Sequence, residues 1–191
     1  MTYAPASPVS STKPFIQTNS FLRGHLLPVA LGIGLLTLFS KIYIPLQPVP
    51  ITLQTVAVML IGLLYSRTNA IQTVAMYLAL GALGMPVFAG PVAGMAKLIG
   101  PTGGYLVGFL SAVIVMTTLR TWLNKPTFMH QTALCVAGTV ALFACGITWL
   151  TYLSNFEAAI TAGILPLIVP SILKIGILVS MLKLYRLVRK G

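Results

Sequence analysis

The sequence predicts an all-α membrane protein, with six transmembrane helices in a compact bundle. Composition is the first observation behind this. Of 191 residues, 57% are hydrophobic and 7% charged, and the mean hydropathy is +0.96. A water-soluble domain carries about 25% charged residues, so this chain has too few to cover itself in water. The second observation is a succession of apolar runs; one domain of this length holds a handful of spans at about 20 residues each. The third is the placement of charge. The net charge is +11, but the basic residues stand in small groups between apolar runs, as membrane orientation requires. They form no basic face of the kind that binds nucleic acid.

Residues 1–24 are polar and rich in Ser, Thr and Pro, and are expected to form a mobile N-terminal tail ahead of a membrane domain at 25–191. The tail lacks the charged start, short apolar core and small-residue cleavage site of a signal peptide. The mature protein is therefore expected to keep it.

The first span is expected at 26–44, after "FLRGH". The second, 51–65, is short and follows the kinked "PLQPVP". The third, 70–83, is also short and leads into an irregular connection from 84 to 103. The fourth runs over 104–119 and stops at "RTWLNKP", and the fifth covers 128–153. The sixth, 162–184, is interrupted by Pro166 and Pro170. Proline is tolerated in a first helical turn and not in the interior, so the regular helix is expected to begin close to Ser171.

An even number of spans puts both termini on one side. Lys13, Arg23, Arg67, Arg120, Lys125, Lys183, Arg186, Arg189 and Lys190 then share that side, nine of the twelve basic residues. Lys41, Lys97 and Lys174 remain on the other. The positive-inside bias places both termini in the cytoplasm, in a multi-pass protein of the cytoplasmic (inner) membrane. The sole acid, Glu157, falls outside. "PLQPVP", the third connection and the broken start of span six then gather at one outer mouth, where a pocket is expected.

The residue inventory speaks against an enzyme. One carboxylate in the whole chain cannot form an acid/base pair. His25 and His130 sit near inner helix ends and read as interfacial side chains. No His/Cys/carboxylate cluster suggests a metal, and no base is placed to activate a serine. Cys135 and Cys145 lie about 15 Å apart along one helix, too far to pair. No cofactor is expected. Transport is the natural remaining class. The chain shows no phosphate loop of the GxxxxGK[ST] type and no relay of buried acids, so active transport requires a partner chain.

Lys174 is the one ionisable residue well inside a span. A lysine there costs a few kcal/mol, and a nearby helix start favours an anion beside it. In the third connection, "GLGMPVFAGPVAGMAKLIGPTGGYLVGF", glycine-bent and apolar, Gly-Pro dipeptides mark turns. Phe88 and Tyr105 offer flat apolar surface there, with a polar handle on the tyrosine. This is the composition of an ordered cap over a small amphipathic molecule. In span one, Ala30 and Gly34 stand four apart with Gly32 between, a spacing that lets another helix approach closely, whether from a partner or within the bundle.

"PLQPVPITLQT" (45–55), "LGMPVFAG" (83–90) and "GPTGGYLVGF" (100–109), in this order and spacing, resemble the biotin-specific S-component of energy-coupling-factor transporters, the BioY family. "AGILPLIVPSILK" (162–174) resembles that family's sixth-helix signature, and the resemblance extends from about residue 26 to the C-terminus. It implies a six-helix subunit that captures biotin from outside, energised by two ATPase subunits and a separate membrane coupling protein. It implies a site in which Lys174 meets the anion or a ring carbonyl, Ser171 and Gln54 the ureido group, and Phe88 and Tyr105 the apolar body. Lys97 is the alternative carboxylate partner, Gly104 lies in the same binding segment, and Ala30 and Gly34 mark where the coupling protein docks. Two positions depart from the family pattern. An acidic residue is usual where Ser171 stands, and some members carry asparagine where Val92 stands. A self-sufficient facilitator or channel for a small solute is the other reading the sequence allows.

Overall fold

The structure is a computed structural model that describes residues 22–122 and 127–190. Most of the expected N-terminal tail, Lys13 and Lys125 lie outside the described residues. A π-helical run, Leu22–Leu26, leads into α1 (Leu27–Ser40). A two-stranded antiparallel hairpin follows, β1 (Tyr43–Ile44) and β2 (Ile51–Thr52), with Tyr43 opposite Thr52 and Ile44 opposite Ile51. The remaining helices are α2 (Gln54–Leu64), α3 (Arg67–Ala82), α4 (Met95–Ile99), α5 (Gly103–Trp122), α6 (Phe128–Leu153), α7 (Phe156–Gly163) and α8 (Leu165–Lys190).

Six of these helices, α1, α2, α3, α5, α6 and α8, fall on the six apolar runs. Helices α5 and α6, and residues Leu165–Tyr185 of α8, are each long and apolar enough to cross a bilayer. This is a multi-pass membrane protein. Gly24–Ser40 and α2 are apolar but shorter. The eleven residues of α2 rise about 16 Å, and the hairpin before them takes up residues the sequence assigns to the second span.

Helix α5 is central, packed against α2, α3, α4 and α6. Its tightest seam is with α6. A Cβ on Gly104 would strike Trp149 and the Cys145 carbonyl, and one on Gly108 the Leu142 main chain. Small residues four apart let the two backbones approach. In α1, by contrast, Gly32 packs inward on Thr73 and Tyr65, and Gly34 has open space where a Cβ would stand.

The buried side chains form two clusters. One, with Leu36, Val49, Tyr77, Phe88, Tyr105 and Leu167, lies beneath the hairpin and the third connection. The other gathers on Met116, Cys135 and Val179 towards the opposite end. There Arg120 donates to the carbonyls of Gly62 (3.1 Å), Leu63 (2.5 Å) and Tyr65. It satisfies main-chain acceptors that the end of α2 leaves without helical partners.

The start of the last helix differs from the expectation. Helix α8 begins at Leu165 and runs unbroken through Pro170. Pro166 sits in the first turn, where an N–H has no helical partner, and Pro170 forfeits one bond to the carbonyl four residues back. Lipid and neighbouring helices tolerate such a proline where an isolated helix in water does not. Lys174 is therefore more than two turns into the helix, and the helix start is not what prepares its surroundings.

Candidate functional site

Two small adjoining cavities lie under the hairpin and the third connection. One, of about 40 Å³, is lined by Gln54, Ala89, Lys97, Thr102 and Leu106 among others. The second, of about 50 Å³, is lined by Thr55, Leu142, Phe143, Leu167, Ser171 and Lys174. Val49, Pro50, Thr52, Tyr105 and Phe109 line both and form the partition between them. Each is large enough for only a few waters, so a vitamin-sized ligand requires the two to merge.

Lys174 is fixed in its cavity by main chain and hydroxyl. Its Nζ donates to the Thr52 carbonyl (2.7 Å) and to Thr55 Oγ1 (3.2 Å). An ammonium has three donors and no acceptor, so one N–H remains for a ligand. Ser171, one turn earlier on α8, is buried beside it at 7% exposed. Gln54 is 2% exposed in the first turn of α2, and its amide nitrogen donates to the Tyr77 hydroxyl.

Tyr105 is also buried, but its hydroxyl donates to the Gly163 carbonyl at 2.8 Å. The expected polar handle therefore ties α5 to α7, and the ring is the surface offered to the cavities. Phe143 meets that ring edge-on, with centroids 6.4 Å apart.

The third connection is ordered, as its composition suggests. Lys41 Nζ donates to the Pro86 (2.7 Å) and Phe88 (3.0 Å) carbonyls. Ser40 Oγ (2.8 Å) and the Tyr77 hydroxyl (2.9 Å) both reach the Val87 carbonyl between them. Three successive carbonyls are thus clamped. Beyond the clamp the chain turns through Gly90 and Gly94 at φ of 79° and 74°, the left-handed region that glycine adopts freely. It then delivers α4 and Lys97 over the first cavity. Burial pushes the Lys97 ammonium below the ordinary lysine pKa.

The structure thus gathers Gln54, Tyr105, Lys97, Ser171 and Lys174 around the paired cavities. Phe88 is elsewhere: at 1% exposed it packs on Gly81 and edge-on against Tyr77, holding the clamped segment down. Gly104 is in the α5–α6 seam. It lines a lateral groove of about 680 Å³ that includes Leu98, Trp149 and Tyr152 and carries no charged side chain. His25 Nδ1 pairs with Asn69 Oδ1 at 2.8 Å, and His130 Nδ1 with Thr127 Oγ1 at 2.6 Å. Sequence reasoning missed Lys41, Tyr77, Thr52 and Thr55. The last two stand in the quoted "ITLQT" string, which was the available signal.

The electrostatics of the cavities are one-sided. Two ammonium groups line them, and the chain's single carboxylate, Glu157, is exposed in the first turn of α7. Half-buried cations without carboxylate partners favour an anionic or carbonyl-rich ligand.

The family model described as "BioY family" matches residues 12–190. The chain belongs to the BioY family. A BioY relative from Pyrococcus horikoshii, named "Probable biotin transporter BioY", is 36% identical over 146 residues, covering 76% of this chain and 86% of its own. "Biotin transporter BioY" from Thermotoga maritima is 36% identical over 145 residues, covering 75% and 85%. A crystal structure described as the S-component for biotin from an ECF-type ABC transporter shares the fold, with a TM-score of 0.78 over 92% of this chain and 95% of that one, at 24% identity. The strings behind the BioY resemblance surround the cavities. Residues 45–55 contribute Val49, Pro50, Thr52, Gln54 and Thr55, and 83–90 contribute Ala89. Residues 100–109 contribute Thr102, Tyr105, Leu106 and Phe109, and 162–174 contribute Leu167, Ser171 and Lys174.

Proposed function

We propose that this chain is the substrate-capture membrane subunit of an ATP-driven vitamin uptake transporter and binds biotin from outside the cell. It transforms nothing; it holds the vitamin while other subunits supply energy. The observation that carries this is the pair of cavities with two ammonium groups and no carboxylate, built largely from the strings that mark the family. Biotin has an anionic valerate tail, an apolar thioether ring and a ureido group with one carbonyl and two N–H donors.

The assignment follows depth. Lys174 lies within α8 and is held rigidly, so it donates to the ring carbonyl. The oxygens of Gln54 and Ser171 accept from the ring N–H groups. Tyr105, Phe109 and Phe143 enclose the thioether ring. Lys97, on the connection at the mouth, meets the carboxylate, the end of the ligand best left near water. The cavities as they stand are smaller than the pockets of about 300 Å³ and above that hold such molecules. Entry requires the segment beyond the Pro86–Phe88 clamp to move.

The remaining parts fit this reading. Six spans with both termini in the cytoplasm put the cavities near the outer face of the cytoplasmic membrane, behind a polar tail at 1–24. Ala30 and Gly34 face outward from α1, which supports a docking stripe for a membrane coupling protein that in turn engages two ATPase subunits. Equilibrium binding of labelled biotin to the purified protein, with desthiobiotin, thiamine and riboflavin as competitors, tests the substrate. Biotin and desthiobiotin should compete and the other two should not. Displacement by thiamine or riboflavin at similar concentrations would overturn the assignment.

A further inference from the structure

Tyr77 lines neither cavity, is fully buried on α3, and yet bonds to a side chain that lines one of them. We propose that Tyr77 is a positioning residue: it fixes which end of the Gln54 amide faces the ligand and so gives the site its acceptor for a ureido N–H. This rests on the biotin reading above.

The argument is one of counting protons. A carbonyl oxygen only accepts, so the 2.9 Å contact between the Tyr77 hydroxyl and the Val87 carbonyl must use the single phenolic proton. What the phenol offers Gln54 is therefore a lone pair. Gln54 must answer with its NH₂ group, and Nε2 is the atom that meets Tyr77. The amide oxygen is left as the free end of a side chain in the wall of the first cavity. The two ends of an amide are nearly identical in shape, so the hydrogen-bond partner alone decides its orientation.

The site needs this acceptor. Ser171 stands where the family usually has an acid, and the chain's only carboxylate, Glu157, is on α7. Two ring N–H donors brought into a closed cavity must find acceptors or lose their water for nothing. A glutamine free to flip would present N–H to N–H half the time; one held by Tyr77 does not. The same hydroxyl reaches the clamped Val87, so cap and acceptor share one anchor. Ser40 also reaches Val87 but does not touch Gln54, which separates anchoring the cap from orienting the amide.

The test measures affinity for biotin and for the two isosteric cyclic carbamates in which one or the other ring N–H is replaced by oxygen. Wild type should prefer biotin over at least one carbamate by about tenfold, the weight of one buried hydrogen bond. In Tyr77→Phe that preference should fall to about twofold, while in Ser40→Ala it should stay at the wild-type ratio even if overall affinity drops. Gln54→Leu, which removes the amide itself, should also lose the preference and serves if Tyr77→Phe does not fold. A wild-type ratio retained in Tyr77→Phe, or in Gln54→Leu, overturns the proposal while leaving the biotin reading intact. Folded wild-type protein that binds no biotin overturns the reading and this inference with it.

Discussion

Lys174 Nζ lies 2.7 Å from the main-chain oxygen of Thr52, 122 residues earlier in the chain. The bond fastens the last helix to the exit of the β-hairpin, and with Thr55 it fixes a cation in an apolar wall. Helix α8 begins more than two turns before this lysine, so no helix start helps to hold its charge. A charged donor bound only to neutral acceptors leaves its Coulomb energy available to a ligand. That makes the lysine the natural centre of the site, and its two acceptors explain why "ITLQT" stands at the start of α2.

Lys97 should act on the other end of the ligand. Lys97→Ala should weaken biotin by less than about 1 kcal/mol, as a lysine reachable by solvent does, and weaken biotin methyl ester less still. The pH dependence follows from the sign of the shift. Burial lowers the Lys97 pKa, so the charged form, which binds carboxylate, is complete below that lowered pKa and is lost as pH rises through it. Affinity for the acid relative to the ester should therefore decline earlier on the alkaline side than an ordinary lysine allows, and this difference should vanish in Lys97→Ala. Parallel curves for acid and ester would remove Lys97 from the carboxylate.

Topology is open to labelling. Ala93 and Thr68 are both exposed, one in the third connection and the other in the first turn of α3. In a background lacking Cys135 and Cys145, an impermeant thiol reagent added to intact cells should label Ala93→Cys and spare Thr68→Cys. Labelling of Thr68→Cys from outside would invert the orientation.

Much of the architecture was legible because lipid enforces it. The apolar run at 128–153 coincides with α6, and the other five runs overlap their helices, since a chain in hydrocarbon must bond its own backbone. The start of α8 was not legible. The rule that proline ends a helix comes from chains in water, and Pro170 sits where losing one bond is tolerated. In the candidate site, the strings at 45–55, 100–109 and 162–174 supply most of the residues that line the two cavities, with Gln54 in one wall, Lys174 in the other and Tyr105 between them. Phe88 and Gly104 were less readable. Whether an aromatic in a bent loop faces a cavity or fills the notch left by Gly81 depends on a helix far from it in sequence. Lys41 and Tyr77 were invisible for a related reason: Lys41 binds main-chain carbonyls, which every residue has, and Tyr77 meets Val87 and Gln54 only once α2, α3 and the third connection are packed together.

Docking separates from binding at the face of α1. Ala30 and Gly34 are exposed, so replacing both by leucine adds bulk where a partner helix must approach and disturbs little inside. Uptake by cells carrying the complete transporter should fall while biotin binding by the purified variant stays within about twofold of wild type. Loss of both together would assign the stripe to internal packing.

Arg120 should matter for stability and not for the ligand. Its guanidinium reaches three carbonyls around the end of α2, a forked geometry that lysine lacks. Arg120→Ala should lower unfolding stability by about 1.5–3 kcal/mol, and Arg120→Lys should recover only part of it. Thermal unfolding in detergent with biotin absent measures this. A wild-type melting temperature in Arg120→Ala would mean that water satisfies those carbonyls equally well.

The central claim is that this chain alone holds biotin at Lys174. Equilibrium binding of labelled biotin to wild type and Lys174→Ala, in nanodiscs without nucleotide, tests it most directly. Losing a buried, charge-assisted bond costs about 2–3 kcal/mol, or roughly 30- to 150-fold in affinity. Wild type should therefore show one saturable site, and Lys174→Ala, with its helical content preserved, should bind biotin and its methyl ester more weakly by that same factor. No saturable binding by folded wild-type protein, or near-normal affinity in Lys174→Ala, would contradict the account.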